Sequence, residues 1–258
     1  ILIEWGDFVL PAWHTFYVLA ALVAYYSMQA LGRKSHPEVD SQDLASLFVV
    51  CYIAGYFGAR MLSILVEEHF TEWFDVFLRL FSLGPMTFYG GAVAAMIAGT
   101  IYTLLKRLPF WSLLDICIPA GLFALAVGRI GCFLNGDDYG IPVADQLNPP
   151  FWAVAFPYHE EKLFRYPVQL ISTVGVGSFA AYLTFRFQSL QAQKGAGYVG
   201  VLAVVFYAVF RFTIEFLRGD PRGSVFSGAL STSQFISLWV VFAVVVVAAG
   251  RRWVRASP

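Results

Sequence analysis

Charge is scarce in this chain of 258 residues: 13% of the side chains are charged, against roughly 25% in a soluble domain. Lysine and arginine match aspartate and glutamate at 17 each, so no net charge speaks for a nucleic-acid partner. Cysteine is nearly missing as well. Cys51, Cys117 and Cys132 form neither a disulfide framework nor a metal-ligand spacing, and the reading assigns no metal and no cofactor. The four histidines are scattered, no serine sits in a nucleophile elbow, and there is neither an internal repeat nor a low-complexity tract. The first two absences argue against a metallohydrolase and a serine hydrolase, and the lack of repeats weakens a transporter or channel reading. No short apolar segment with a small-residue cleavage site precedes the first apolar run, which therefore reads as a retained helix.

What the chain does have is hydrophobic length. Hydrophobic residues make up 59% of it and aromatics 17%. Seven runs approach the ~20 residues a spanning helix needs, near 10–32, 44–66, 86–105, 112–133, 167–187, 197–217 and 233–250. The expected fold is an all-α, polytopic membrane bundle of seven transmembrane helices, one domain over 1–258. The long non-spanning segments are 67–85 and 134–166. The second carries Pro142, Pro149, Pro150, Pro157 and several aromatics, which suits an ordered lid better than a flexible linker. Its base is expected at Asn135, Asp137 and Tyr139.

Basic residues cluster in alternate loops: Arg33 and Lys34; Lys106 and Arg107; Arg186 and Lys194; Arg251, Arg252 and Arg255. By the positive-inside rule these loops are cytoplasmic, with the N-terminus outside and the C-terminus inside. The remaining loops are acidic, carrying Glu4 and Asp7, then Glu67, Glu68, Glu72 and Asp75, then Asp137, Asp138, Asp145, Glu160 and Glu161. Segments 67–85 and 134–166 then belong to the outer face.

Against this apolar background stand three arginines inside spans: Arg60, Arg129 and Arg211. An arginine at the bilayer centre costs at least ~2.5–3.5 kcal/mol on insertion scales, so it faces a bundle interior, a cavity or an anion. Arg129 lies in GRIGCFLNGDDYG (128–140), whose four glycines permit close backbone approach and positive φ. The plainer reading of that run is a helix end followed by turns, with Arg129 snorkelling. Arg211, Glu215 and Arg218 share one helical face at i, i+4 and i+7. They form either a neutralised pair that eases insertion or a bidentate phosphate fork that Glu215 orients. Phe88-Tyr89-Gly90-Gly91 opens the third run, as close helix packing or as a backbone anion site. Arg165-Tyr166-Pro167 opens the fifth, with interfacial anchoring as the simpler role for its first two residues. His14 is the one histidine inside a span, whereas His36, His69 and His159 fall in loops.

Taken in order, Phe57-Gly58-Ala59-Arg60, the Phe-x-Gly-Gly of 88–91, GRIGCFLNGDDYG, RYPVQL (165–170) and FRFTIEFLRGDP (210–221) resemble the prolipoprotein diacylglyceryl transferase family. The resemblance implies a seven-span enzyme of the bacterial inner membrane. Such an enzyme moves the diacylglyceryl group of phosphatidylglycerol to a cysteine thiol of a lipoprotein precursor and releases glycerol phosphate. It further implies that Arg129 and Arg211 hold the lipid phosphate, while Asn135, Asp137, Gly140 and Glu215 shape the headgroup site. Arg60, Gly90, Gly91, Gly136, Tyr166 and Arg218 complete the candidate substrate-binding set. The family's usual histidine before the Gly-Gly pair is Tyr89 here, and its histidine before the proline is Tyr166. Its Tyr-Glu after Gln-Leu is Ile171-Ser172, its asparagine is Cys132 and its glutamate is Asp137. Tyr89 and His14 are therefore the candidates for activating the thiol. The alternative is a relative that binds phospholipid, or transfers it to a different acceptor, without the usual activity.

Overall fold

The computed structural model describes the chain apart from residues 1, 2, 6, 7, 67–71, 83, 85, 158, 160, 222, 257 and 258, with side chains described between 11 and 247. Glu67, Glu68, His69 and Glu160 lie outside the described residues, as do the side chains of Glu4, Asp7, Arg251, Arg252 and Arg255. A short hairpin, β1 (Ile3–Trp5) with β2 (Phe8–Leu10), precedes α1 (Ala12–Ser35) and α2 (Ser41–Val66). Next come the short α3 (Trp73–Leu80), then α4 (Phe88–Leu105) and α5 (Phe110–Asn135). The hairpin β3 (Val154–Ala155) and β4 (Phe164–Arg165) leads to α6 (Val168–Lys194) and α7 (Tyr198–Ile214), the latter extended by a 3-10 turn, Glu215–Leu217. The hairpin β5 (Ser224–Val225) and β6 (Leu230–Ser231) opens α8 (Thr232–Ala256).

The protein is thus a polytopic helical membrane protein. Among the described residues, six helices are long and apolar enough to cross a bilayer: α1, α2, α4, α5, α6, and α7 with its 3-10 extension. The described apolar stretch of α8, Thr232–Val247, is shorter. Exposed Val18, Leu22, Val93, Ile97, Ile101, Phe242 and Val245 give these helices apolar outer faces, which hydrocarbon accepts and water does not. The observed ends lie within a few residues of the expected ones, except that α6 runs past 187 to Lys194 and α8 past 250 to Ala256. In α6 QSLQAQK is polar but helix-forming, and only Gly195, at φ +85°, ends the helix.

Two compact units make up the chain, Met28–Leu113 and Ile1–Ser27 with Leu114–Pro258. In Met28–Leu113 the tightest packing joins α2 to α4 through small residues. A methyl on Gly58 would stand 2.3 Å from the Ala94 Cβ, and one on Gly90 would stand 2.4 Å from the Gly58 carbonyl oxygen. Small residues let helix backbones touch where hydrophobic drive between helices is weak. The α1–α2 turn is closed by Gln29, which donates to the Ser41 carbonyl (3.0 Å) and accepts from the Ser41 hydroxyl (2.6 Å).

In the other unit α6 and α7 join through a turn at 195–197, and Gly197 takes φ +90°. Asp115 of α5, fully buried, accepts from the backbone N–H groups of Gly197 and Gly200, both at 2.7 Å. It caps α7 from another helix and satisfies donors that a helix start leaves open. Residues 139–143 run between two neighbouring segments. Ile141 N–H donates to the Leu217 carbonyl (2.9 Å), Gly219 N–H to Tyr139 (3.0 Å), Tyr166 N–H to Ile141 (3.1 Å) and Val143 N–H to Phe164 (2.9 Å). Residues 139–143 are therefore held by backbone pairing on both sides.

Candidate active site

Three of the guanidiniums singled out above line one cavity. Arg129 comes from α5, Arg211 from α7 and Arg218 from just past the 3-10 turn, with Tyr207, Ser172 and apolar side chains such as Leu125 and Phe210 completing the wall. The helical ladder explains the shared face of α7. Tyr207, Arg211 and Glu215 follow at i, i+4 and i+8, and Arg218 lies one turn beyond Ile214.

Each arginine is held by a carboxylate. Arg129 Nη1 donates to Asp138 Oδ2, and Arg218 Nη2 donates to Asp138 Oδ1. Arg218 also donates to both oxygens of Asp220, at 3.0 and 3.1 Å. Arg211 Nη1 donates to Glu215, and Arg211 Nη2 to the Ser233 hydroxyl of α8 at 2.8 Å. Asp138, Glu215 and Asp220 thus balance three guanidiniums. The balance does not exhaust them. Arg129 spends one amino nitrogen on Asp138, leaving Nε and Nη2 with no hydrogen-bond partner among the described residues.

The loop that follows Arg129 is built to turn. Gly136 has φ +80° and Asp138 φ +59°, the left-handed region that glycine and, among other residues, Asp and Asn tolerate best. Asn135 Nδ2 donates to Asp137 Oδ2 at 3.0 Å, and Gln169 of α6 donates to the Asp137 carbonyl at 2.6 Å. Burial pushes the Asp137 carboxyl above the ordinary aspartate range, against the lowering effect of the Asn135 hydrogen bond. Asp220 is raised by burial too, with Arg218 opposing it. Gly140 leaves no room for a side chain, because a Cβ would meet the Tyr166 carbonyl oxygen at 2.4 Å. The sulfur of Cys132 and carboxylate oxygens of Asp137 and Asp138 lie within 4.8 Å of one another. Two guanidiniums already bind Asp138 there, so the local field favours an anion over a cation.

Around this centre Arg165 covers the Tyr139 ring at 4.7 Å, and Tyr139 meets His159 edge-on at 4.4 Å. His159 Nε2 donates to the Gly136 carbonyl at 2.8 Å, which ties segment 134–166 to the turn after Arg129. Tyr166 stacks obliquely on Trp152 with ring centroids 4.9 Å apart. His14 stands exposed on the first turn of α1, edge-on to Trp13, and does not line the cavity.

The remaining sequence candidates belong to Met28–Leu113. Gly90 and Gly91 pack on α2 backbone, at Gly58 and Gly55 respectively. Tyr89 is half-buried beside Phe88, with ring centroids 5.8 Å apart. Arg60 is buried, and its Nε donates to the Arg79 carbonyl at 3.0 Å near the C-terminus of α3, while Nη2 reaches the Ser82 hydroxyl at 3.3 Å.

Two wall residues, Tyr207 and Ser172, and Asp138, the partner of two wall arginines, escaped the sequence reading. Tyr207 was within reach of it, since extending the Arg211–Glu215 ladder one turn backward arrives there. Asp138 was grouped with the loop acids, although two adjacent aspartates beside an arginine signature mark a charge-dense turn. Ser172 entered only as a departure from the family pattern, and its hydroxyl is spent on the Val168 carbonyl at 2.7 Å.

The fold and the site together define a polytopic helical membrane protein in which three arginines line one cavity. The chain matches the sequence pattern of the family "Prolipoprotein diacylglyceryl transferase" across residues 1–249, and it belongs to that family. It is 32% identical over 226 residues to the phosphatidylglycerol–prolipoprotein diacylglyceryl transferase of Clostridium tetani, covering 87% of this chain and 85% of the relative. The protein of the same name from Bordetella bronchiseptica is 28% identical over 249 residues, 94% of this chain and 91% of the relative. That from Geobacter sulfurreducens is 28% identical over 224 residues, covering 86% and 83%.

Proposed function

We propose that this chain transfers the diacylglyceryl group of phosphatidylglycerol to the cysteine thiol of a lipoprotein precursor. The observation that carries the reading is the convergence of Arg129, Arg211 and Arg218 on one cavity, in a chain of this family. A thiolate sulfur forms a bond to the glyceryl carbon, the carbon–oxygen bond to phosphate breaks, and glycerol phosphate leaves with the electron pair. Negative charge grows on the departing phosphate. Guanidiniums already positioned around it stabilise that charge without reorganising, the term that contributes most in many enzymes. Asn135, Gly136, Asp137 and Gly140 build the turn that presents Arg129, and Glu215 orients Arg211.

The thiol, with a free pKa near ~8.5, needs a proton acceptor. Tyr89, where the family's usual histidine would stand, and His14 are the two candidates. Replacing Tyr89 by Phe and His14 by Ala, separately, should lower turnover and leave lipid binding intact. Unchanged turnover in both variants removes both assignments.

In this reading α8 is the seventh span, the N-terminus faces outward, the C-terminus is cytoplasmic, and the protein resides in the bacterial inner membrane. Labelling of cysteines introduced at 33–42 should occur only from the cytoplasmic side. For the activity itself, purified protein is incubated with phosphatidylglycerol and a lipobox peptide. A diacylglyceryl mass increment on the peptide is expected. Lipid binding with no increment would favour a relative that uses another acceptor.

A further inference from the structure

Asp138 stands apart from the other carboxylates that hold the cavity's arginines. Glu215 and Asp220 each serve an arginine close by in sequence, four and two residues away. Asp138 instead bridges two that are distant, nine residues back to Arg129 and 80 forward to Arg218. Each of its oxygens takes one guanidinium, which is how two oxygens of a phosphate would bridge the same pair. Its backbone is held at φ +59° and its side chain is about a quarter exposed, so the carboxylate is neither locked in a helix nor sealed from solvent.

We infer that Asp138 is a positioning residue that takes the place of the lipid phosphate between turnovers: it keeps Arg129 and Arg218 together and yields guanidinium donors when the anion arrives. The inference rests on the phosphate-binding reading proposed above. With Asp138 present, three carboxylates face three guanidiniums, and an incoming phosphate competes with one of those carboxylates. The same competition works in reverse on the product. Asp138 returning to the arginines helps expel glycerol phosphate, which is more highly charged than the diester donor.

Asp138→Asn separates charge from shape. Asparagine tolerates the left-handed backbone and keeps one carbonyl acceptor, but it cannot bridge as an anion. Hydrogen bonds to charged groups are the strong ones, so removing the competitor should tighten binding of glycerol phosphate on the order of tenfold. The variant should also show a lower KM for phosphatidylglycerol and a lower kcat, because product leaves slowly. Asp138→Ala, which loses the bridge as well, should bind the anion more tightly but lose more kcat.

The measurement is the shift in thermal midpoint of detergent-solubilised protein against glycerol phosphate concentration, beside transferase kinetics. Glu161→Gln, which removes an exposed acid paired with Arg165, controls for global charge and should match the unaltered protein. A steeper response in both Asp138 variants is expected. Equal or weaker responses in both, or no response in any protein, would overturn the role of Asp138. A response that follows the expected order with no transferase activity would leave the anion exchange standing and remove only the proposed reaction.

Discussion

Arg60 and Arg129 are both arginines set in apolar spans, and they are used in opposite ways. Arg60 is 2% exposed and donates to the backbone carbonyl of Arg79 and to a serine, with the guanidinium closed over by Gly84, whose Cβ would come within 2.6 Å. Arg129 is tied to one carboxylate and keeps nitrogens directed at a cavity. The Arg79 carbonyl oxygen belongs to backbone that cannot move aside for a ligand. A carboxylate can exchange places with another anion. In the proposed reading that exchange is what makes Arg129 a binding group.

Substitutions can break that contrast. Arg211→Gln should have the largest effect, because Glu215 would stay buried without its cation. Loss of about 3–5 kcal/mol of stability is expected, seen as a lower thermal midpoint, and adding Glu215→Gln should restore most of it. Arg129→Gln should cost transfer activity on the order of 10²–10³-fold with little change in midpoint, since Asp138 keeps Arg218. A comparable fall in stability would make Arg129 a structural pin like Arg60. Arg60→Gln should do the reverse: about 1–3 kcal/mol of stability lost, earlier protease cleavage within 72–82, and an unchanged KM for the lipid.

The smallest effect concerns pH. Burial holds the Asp137 carboxyl above its unfolded value, so the folded protein binds that proton more tightly than the unfolded chain does. Ionised Asp137 therefore opposes folding above its folded pKa, and that opposition fades as pH falls through it. Asp137→Asn should flatten this component of the melting-temperature curve on the acid side. An identical curve would place the burial cost elsewhere.

Much of this was legible in residue order, for a physical reason. Spans are set by apolar length, so the limits expected near 10, 44, 66, 105 and 133 fall within three residues of the observed 12, 41, 66, 105 and 135. Arg211 with Glu215 is a local pair that helical spacing reports. Asp138 with Arg218 is not, because 80 residues separate them and a left-handed residue has no periodicity. The short helix α3 was hidden in a segment read as loop, since eight residues are too few to signal against flanking aromatics. Gly90 and Gly91 had two meanings in sequence, and the Gly58 and Gly55 backbones beside them belong to the packing one.

The cap that Asp115 places on α7 bears on how the protein is made. Asp115 precedes Gly197 by 82 residues, so at 5–20 residues per second it emerges roughly 4–16 s before the N–H groups it serves. During that interval α5 carries a carboxylate in its first turns and the ring of Pro119 in its middle, before the N–H groups of Gly197 and Gly200 exist to meet it. Insertion of α5 is thus provisional until the α6–α7 hairpin arrives. Nascent chains truncated before residue 197 should leave α5 extractable from the membrane by alkali, and Asp115→Leu should seat it early while costing α7 its anchor. The order of synthesis, carboxylate first and helix start second, turns a late helix into the step that commits an earlier one.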